Sequence, residues 1–468
     1  HSFCIGGVLC VLSGAWLILL LVLAIVFIVL MTGKVRMNAF LVLLLAALFV
    51  GLLAVDPPLV PKTVDGKTVP GIIESIANGF GGTLTNIGIV IVAGTIIGAI
   101  LEKTGAAVVM ARTMLKLVGK KNSPLAMAFS GYVVSIPVFC DSGFVILSSL
   151  NRALAESGGI SLAVMGTALS MGLYSTHTMV PPTPGPIAAA GNLGADLGLV
   201  ILMGLIASIP ATLAGWLYAI KVGSKIDIKP KASMSYEEML KKFGKLPGTL
   251  QSFMPILIPI ILIALRSVAN FNTNPFGTGT FKTIMVFLGN PNLALLFGVF
   301  MAMTLAPRIN KQVYGDWVND AIRDSAVILV ITAAGGSFGA VLQATGIGGV
   351  LGDILSKYNL GIFLPFIIAA AIKTAQGSST VSLITTSAIL APLLPSLGFD
   401  SAMARALVTI AIGAGSMVVS HANDSYFWVV SQFSDMDINQ AYKLQTGGTL
   451  FVGIVSILTI ALMSVILL

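Results

Sequence analysis

A proline-rich stretch, residues 176–186, constrains the fold of this chain more than any other part of the sequence. It reads THTMVPPTPGP and follows the apolar run 161–173. Four prolines within six residues exclude a regular helix, because proline lacks an amide donor and restricts the residue before it. The carbonyl groups freed in this way cannot face lipid, so the stretch must be buried in protein or line a wet cavity.

A second polar stretch, residues 420–425, lies in a corresponding place further along the chain. It reads SHANDS and follows another apolar run, 407–419. Each stretch opens with a hydroxyl residue and a histidine, Thr176-His177 in the first and Ser420-His421 in the second, at an offset of 244 residues. Paired interruptions in two halves are the best sequence indication of a transporter binding site.

The amino-acid composition places the chain in a membrane. Hydrophobic residues make up 56% and charged residues only 9% of the 468 residues, with a mean hydropathy of +0.99, whereas a soluble domain carries about 25% charged residues. The lysines and arginines behind the net charge of +8 cluster in short loops, as membrane topology requires, and do not indicate nucleic acid. The sequence predicts an all-α polytopic membrane protein with about 12 transmembrane segments.

Internal similarity divides the chain into two repeats. The sequence GAILEKTG at 98–105 resembles GAVLQATG at 339–346, an offset of 241 that is close to the offset between the two polar stretches. The segment 221–249 carries seven lysines, which place it in the cytoplasm. We predict a first repeat at 1–220, a cytoplasmic linker at 221–249 and a second repeat at 250–468.

Loop charge predicts that the two repeats are inverted in the membrane. The loop after the first apolar run carries Lys34 and Arg36, whereas the corresponding loop of the second half, 269–281, has no charge. The next loop of the second half carries Arg308 and Lys311, so equivalent loops should lie on opposite sides. With this orientation, the segment 56–70 should face the outside.

Short apolar pieces predict two re-entrant hairpins with polar tips. These pieces end at Gly105 and Gly346, and another apolar piece follows each of them closely. Two ordinary spans joined by a tight turn are the alternative. The longer run 360–395 should consist of two pieces, because the polar sequence QGSST at 376–380 interrupts it.

Two acidic residues inside the apolar runs are candidates for proton coupling. Asp141 lies in a glycine-flanked stretch after Pro137, and Asp424 lies in the second polar stretch. Ionisable side chains are costly in lipid and usually face a cavity or one another, and burial favours the protonated form of a carboxylate. The alternative for Asp141 is a structural cap that bonds local amides. Asp424 could instead hold the broken helix or contact substrate hydroxyls.

Lys373 and the hydroxyl residues after it form a candidate binding site for a carboxylate. A buried cation beside hydroxyls and a helix end suits such a ligand. Alternatively, the lysine extends to the membrane interface and the hydroxyls serve helix packing. The residues predicted to bind substrate are Ser142, Thr176, His177, Thr183, Lys373, Ser378, Ser379, Thr380, Ser420, His421 and Asn423.

The histidines in the two polar stretches could titrate near neutral pH or be held by carbonyl groups of the broken helices. A metal site needs at least three ligands within reach, and only Asp141 and Asp424 are left to help, so no metal is expected. The sequence contains no phosphate-binding loop of the Walker type. Transport would therefore draw on an ion gradient, such as a proton gradient, and would need no cofactor.

Together, these motifs resemble the gluconate permease family of gluconate:proton symporters. The resemblance covers the chain from about Arg36 to the last apolar run, although the family often has Tyr-Glu at Cys140-Asp141, histidine at Thr183 and arginine at Lys373. The motifs that carry it are the proline-rich stretch 176–186, the sequence GSSTV at 377–381, and SHAND at 420–424 with Phe427-Trp428.

The resemblance implies a protein of the bacterial inner membrane that imports gluconate or a related acid with protons. It also implies kinship with the ion transporter superfamily, with inverted repeats, two re-entrant hairpins, broken helices, an elevator-like motion and a homodimer. Another sugar acid, a short hydroxy acid or D-serine is the alternative substrate. A membrane-embedded enzyme is a remote alternative, because no catalytic constellation is visible.

Overall fold

The computed structural model describes residues 7–64, 67–119, 122–230, 241, 243–270, 275–347, 360–422 and 424–468. The described part of the chain is mostly helical. Its first half comprises α1 (Gly7–Val29), α2 (Ala39–Leu53), β1 (Lys62–Val64), β2 (Lys67–Val69), α3 (Ile72–Lys103), α4 (Ala106–Val118), α5 (Ser123–Val134), α6 (Cys140–Gly158), α7 (Leu162–Met179), α8 (Pro184–Leu193) and α9 (Leu197–Tyr218).

The second half continues the same helical pattern. It comprises α10 (Thr249–Ala269), α11 (Thr280–Leu288), α12 (Pro291–Met303), α13 (Val318–Ala344), α14 (Phe363–Gln376), α15 (Ser379–Leu390), α16 (Ala402–Gly415), α17 (Ser425–Phe433), α18 (Ile438–Ala441) and α19 (Gly447–Leu467). Wider turns of the π type join or extend these helices at Leu30–Lys34, Ala219–Gly223, Gln312–Trp317 and Tyr442–Thr446. The two strands pair in an antiparallel hairpin with Thr63 opposite Thr68.

Six helical segments within the described ranges are long and apolar enough to cross a membrane, and the bent pair α11–α12 would add a seventh. The six include α1, α3, α9, α10, α13 and α19. Five shorter apolar helices, α2, α5, α14, α15 and α16, accompany them. The chain is therefore a mostly helical polytopic membrane protein, while the number of about 12 segments stays a prediction.

The prediction that the pieces ending at Gly105 and Gly346 are short is wrong. The helices before these glycines, α3 and α13, have 32 and 27 residues. Residues 78–86 have the polar, glycine-rich sequence NGFGGTLTN but are helical. Gly79 lies against Gly336 and Ala340, where α3 and α13 cross closely. Most of the apolar piece after Gly346, residues 348–359, lies outside the described residues.

Within the described ranges, two helix pairs with short connections occur elsewhere in the chain. Residues 135–139 separate α5 from α6, and residues 377–378 separate α14 from α15. The second separation confirms that the run 360–395 consists of two pieces. Gly377 has a φ of +93°, which a side chain would strain, so glycine is suited to this turn.

Two further helices are broken where the polar stretches predict it. The first break, residues 180–183, separates α7 from α8, and the second break, residues 416–424, separates α16 from α17. Segments of one half pack on segments of the other, since α8 contacts α15, α17 contacts α6, and α3 contacts α13. The two halves therefore share one interior, and the breaks and helix-pair connections lie inside it. Of the predicted linker, residues 231–240 and 242 lie outside the described part.

Candidate functional site

The first break is held by the hydroxyl of Thr183, which lies near two carbonyl groups that lack their helical amide donors. In a continuous helix, the carbonyls of His177 and Val180 would bond the amides four residues later, but these positions are Pro181 and Pro184. Thr183 Oγ1 lies 3.0 Å from the His177 oxygen and 2.7 Å from the Val180 oxygen, so its proton can serve either acceptor. The side chain is fully buried.

Glycines on neighbouring helices let the backbone approach other freed carbonyls of the first break. The carbonyls of Thr178 and Pro182 also lack their helical donors, because positions 182 and 186 are prolines. Gly413 of α16 lies against the Thr178 oxygen and Gly94 of α3 against the Pro182 oxygen, and a Cβ at either glycine would collide with it. The break is therefore buried in protein, as its proline content requires.

The second break is tied to its neighbours by polar contacts. The amide of Ser420 donates to Thr449 Oγ1 at 3.0 Å, and Thr446 Oγ1 donates to the Ser420 carbonyl, so that the break is anchored beside α19. His421 Nε2 lies 2.9 Å from the carbonyl oxygen of Thr374 in α14. Val419 has a φ of +52°, an uncommon conformation for a β-branched residue.

Asp424 closes the second break and pairs with Lys373. One carboxylate oxygen accepts from the amide of Tyr426 at 3.1 Å and caps α17. The other oxygen accepts from Lys373 Nζ at 2.8 Å, from Ser420 Oγ at 2.6 Å and from the Tyr174 hydroxyl at 3.3 Å. Both charged side chains are buried, and their charges compensate each other within the protein.

A cavity of about 380 Å³ lies between the C-terminal part of α7, the second break and the two helix-pair connections. Three helices begin at its wall, namely α6, α15 and α17, and the start of a helix carries partial positive charge. The residues that line it are Phe139, Cys140, Asp141, Tyr174, His177, Gly377, Ser378, Ser379, Thr380, Asp424, Ser425 and Tyr426. A volume of this size suits a small molecule.

Two polar atoms at this cavity have no hydrogen-bond partner among the described residues. They are Asp141 Oδ1 and His177 Nδ1, and both atoms are buried. The His177 ring stacks on Tyr174, with the two ring planes 16° apart. The ring of Phe139 also lies near His177, with 5.9 Å between the ring centroids. A buried polar atom without a partner costs free energy, so each of these atoms is a candidate for a further hydrogen bond.

The structure brings six of the predicted site residues to the cavity wall and places six elsewhere. Those at the wall are Asp141, His177, Ser378, Ser379, Thr380 and Asp424. Those outside the described lining are Ser142, Thr176, Thr183, Lys373, Ser420 and His421. Asn423 lies outside the described residues.

The residues away from the wall contact the protein itself. Thr176 Oγ1, for example, donates to the Tyr132 carbonyl at 2.9 Å. Sequence reasoning missed Phe139, Cys140, Ser425 and the two tyrosines of the wall. Tyr174 lies three residues before His177, one helical turn away, and this spacing could have indicated it.

Comparison with known proteins identifies the family of this chain. The family described as GntP family permease matches residues 16–466. The chain belongs to the GntP permease family. An uncharacterised permease of Haemophilus influenzae is 36% identical over 441 residues, which cover 91% of this chain and 86% of that protein.

Two further relatives of this permease differ in the substrate they are named for. A gluconate permease of Pseudomonas aeruginosa is 32% identical over 97% of this chain and 98% of its own length. The D-serine transporter DsdX of Escherichia coli is 30% identical over 97% of this chain and 100% of its own length. The permease is therefore a multi-pass transport protein of the bacterial inner membrane and not an enzyme.

A solved structure shares the fold of the permease. The MtrF protein of Neisseria gonorrhoeae, from a class of antimetabolite efflux pumps, superposes with a TM-score of 0.65. The alignment covers 93% of this chain and 96% of MtrF at 16% sequence identity. At this identity the likeness shows the fold alone.

Proposed function

We propose that the permease imports gluconate or a related small hydroxylated carboxylate together with protons. The observation that carries this proposal is the pairing of two features at one cavity. The start of α15, which has no acidic residue in its first turn, faces the same space as Asp141, whose Oδ1 has no partner among the described residues. The first feature suits an anion and the second suits a proton.

The substrate carboxylate binds at the start of α15. The first amides of a helix have no partner within it, and the helix dipole favours negative charge there. The other two helix starts are less suitable, because α6 has Asp141 in its first turn and Asp424 caps α17. Ser379 and Thr380 line the cavity at α15 and supply hydroxyls next to these amides.

Lys373 is a weaker candidate for this carboxylate than its sequence position indicates. Its ammonium group already contacts the Asp424 carboxylate, and the side chain is fully buried away from the described cavity wall. The pair contributes little net charge to the cavity. Binding of the anion therefore depends on the helix start and the hydroxyl groups.

Substrate hydroxyls would bond other polar groups of the cavity wall. His177 Nδ1 is buried without a partner among the described residues, and Ser425 lies at the wall. Tyr174 and Tyr426, whose ring centroids are 4.9 Å apart, supply flat apolar surface for the carbon chain. A hydroxylated chain satisfies such mixed surroundings better than a fatty acid would.

Proton coupling follows from the charge of the cavity. The Lys373–Asp424 pair is neutral overall, so an ionised Asp141 and the substrate anion would be two like charges in one small space. Like charges at short range disfavour each other, so anion binding favours protonation of Asp141 and protonation favours anion binding. Such reciprocal coupling between two ligands is the basis of symport.

We also propose that the two halves are inverted repeats and that the cavity moves in an elevator-like manner. The same order of a long helix, a helix pair, a broken helix and a final span occurs in both halves, at α3 to α9 and at α13 to α19. The segments around the cavity pack on each other across the halves, α6 with α17 and α8 with α15, and could move together. A homodimer, which the family resemblance implies, is tested by the mass of the purified protein in light scattering.

Uptake into proteoliposomes tests the proposed function. The purified permease is reconstituted, an inside-alkaline pH gradient is imposed, and radiolabelled gluconate, a short hydroxy acid and D-serine are offered separately. We expect one hydroxy acid to accumulate above its external concentration and a protonophore to abolish the accumulation. Protein-free liposomes are the control. Equilibration without accumulation, or no uptake of any of these compounds, would contradict the proposal.

D-serine or a similar zwitterion is the second candidate substrate. Asp141 Oδ1 could bond an ammonium group while the start of α15 holds the carboxylate, so one cavity would accept both charges. In this case Asp141 would be a substrate ligand, and the ligand itself would bring the positive charge. Accumulation of D-serine in preference to every hydroxy acid in the same assay would favour this candidate.

A further inference from the structure

The ammonium group of Lys373 contacts two oxygen atoms at a helix interruption. Lys373 Nζ donates to the Gly377 carbonyl at 2.5 Å and to Asp424 Oδ2 at 2.8 Å. The Lys373 carbonyl in turn accepts from the Gly377 amide at 2.9 Å. The side chain has 0% of its surface exposed, so the ammonium group is enclosed by the protein.

A backbone carbonyl and a carboxylate at a helix interruption are also the kinds of ligand that bind monovalent cations in transporters. In transporters with broken helices, unwound carbonyls and the C-terminal ends of half-helices coordinate the coupling cation. Here a carbonyl of the α14–α15 connection and a carboxylate of the second break converge at the C-terminal end of α14, where the helix dipole favours positive charge. A lysine ammonium group is a compact point charge that can occupy such a position.

We propose that Lys373 is a tethered cation that permanently fills a coupling-cation site, so the permease needs no free Na⁺ or K⁺. The ammonium group links the connection between α14 and α15 to the second break and thereby positions the start of α15 at the cavity. Lys373 is then a positioning residue and not a substrate ligand. The inference rests on the proposed transport function and adds the reason why protons alone suffice for coupling.

The charges near Lys373 agree with this assignment. Asp424 is its direct partner, and Asp141 lies within electrostatic range of both charged groups. The Asp424 carboxylate also accepts from Ser420, Tyr174 and the Tyr426 amide, which would continue to orient it if the ammonium group were removed. Removing the lysine side chain would therefore leave an oriented carboxylate, the Gly377 carbonyl and an empty volume that a small cation can enter.

Cation-dependent melting of the purified full chain tests the proposal without any substrate. The variants are Lys373→Ala, the double variant Lys373→Ala/Asp424→Asn, and Lys103→Ala as a matched control that breaks an exposed lysine–aspartate pair with Asp320. Melting temperatures are measured in chloride salts of Na⁺, K⁺, ammonium or methylammonium against choline at constant ionic strength. Ligands that bind only the folded protein raise its melting temperature.

We expect a saturable rise in melting temperature for Lys373→Ala with at least one small cation. The double variant lacks the carboxylate and should not respond, and neither should wild type or Lys103→Ala. Uptake by Lys373→Ala in choline should fall by about tenfold or more, as for the loss of a hydrogen bond between charged groups, and the stabilising cation should restore most of the uptake. A response to no cation, or an equal response of the double variant, would overturn the proposal.

A second measurement keeps the proposal testable if Lys373→Ala does not fold. Wild-type uptake is measured with all Na⁺ and K⁺ replaced by choline, and it should change by less than about twofold because the site is already filled. A requirement for Na⁺ or K⁺ would overturn the tethered-cation assignment while leaving the transport of a hydroxy acid intact. Failure of the proposed function itself would instead appear as missing uptake in every salt.

Discussion

Replacing Thr183 by valine should destabilise the permease without changing its affinity for substrate. Valine has the shape of threonine but no hydroxyl, so the change removes the donor shared by the carbonyls of His177 and Val180. These carbonyls cannot turn to helical donors, because the residues four positions later are prolines. One hydroxyl proton serves both acceptors, so we expect the loss of one buried hydrogen bond, about 1–3 kcal/mol in the free energy of unfolding.

The assay is a denaturant titration of the purified protein, with the free energy of unfolding taken by linear extrapolation. Thr183→Ser is the matched control, since it keeps the hydroxyl, and it should cost less than about 1 kcal/mol. Substrate affinity, measured by calorimetry, should stay within twofold of wild type for both variants. A Thr183→Val protein of unchanged stability that binds substrate tenfold more weakly would refute this reasoning and make Thr183 a substrate ligand.

The remaining predictions concern the cavity and the topology. Ser379→Asp places a negative charge at the start of α15 and should abolish anion binding, as measured by calorimetry. Ser379→Ala should weaken anion binding by about tenfold or less. Equal binding by both variants would contradict the anion site. Single cysteines introduced at Lys231 and Thr63 should react from opposite sides of the membrane; labelling from one side would contradict the inverted arrangement.

The broken helices could be predicted because their cause is local. The four prolines between 181 and 186 remove amide donors in any fold. The polar residues 420–425 would be costly inside a lipid-facing apolar helix. The division of 360–395 was predictable for the same reason, since Gly377 favours the φ that its turn requires. These features can be predicted from the sequence because they depend on the backbone chemistry of a few neighbouring residues.

Features that depend on distant residues were not predictable. Lys373 and Asp424 are 51 residues apart, and the sequence contains no sign that they pair with each other. The length of α3 depends on α13, whose Gly336 lies against Gly79 and allows a polar, glycine-rich segment to stay helical. Tyr426 looks like an ordinary apolar helix residue until the fold places it at the cavity wall.

Symport through Asp141 is tested most directly by comparing two modes of transport in one Asp141→Asn variant. Asparagine keeps the size of the side chain but cannot carry the coupling proton. In proteoliposomes, we expect the variant to lose accumulation driven by a pH gradient while it still exchanges internal for external substrate. Accumulation against the substrate gradient with the pH dependence of wild type would contradict the account and exclude Asp141 as the coupling residue.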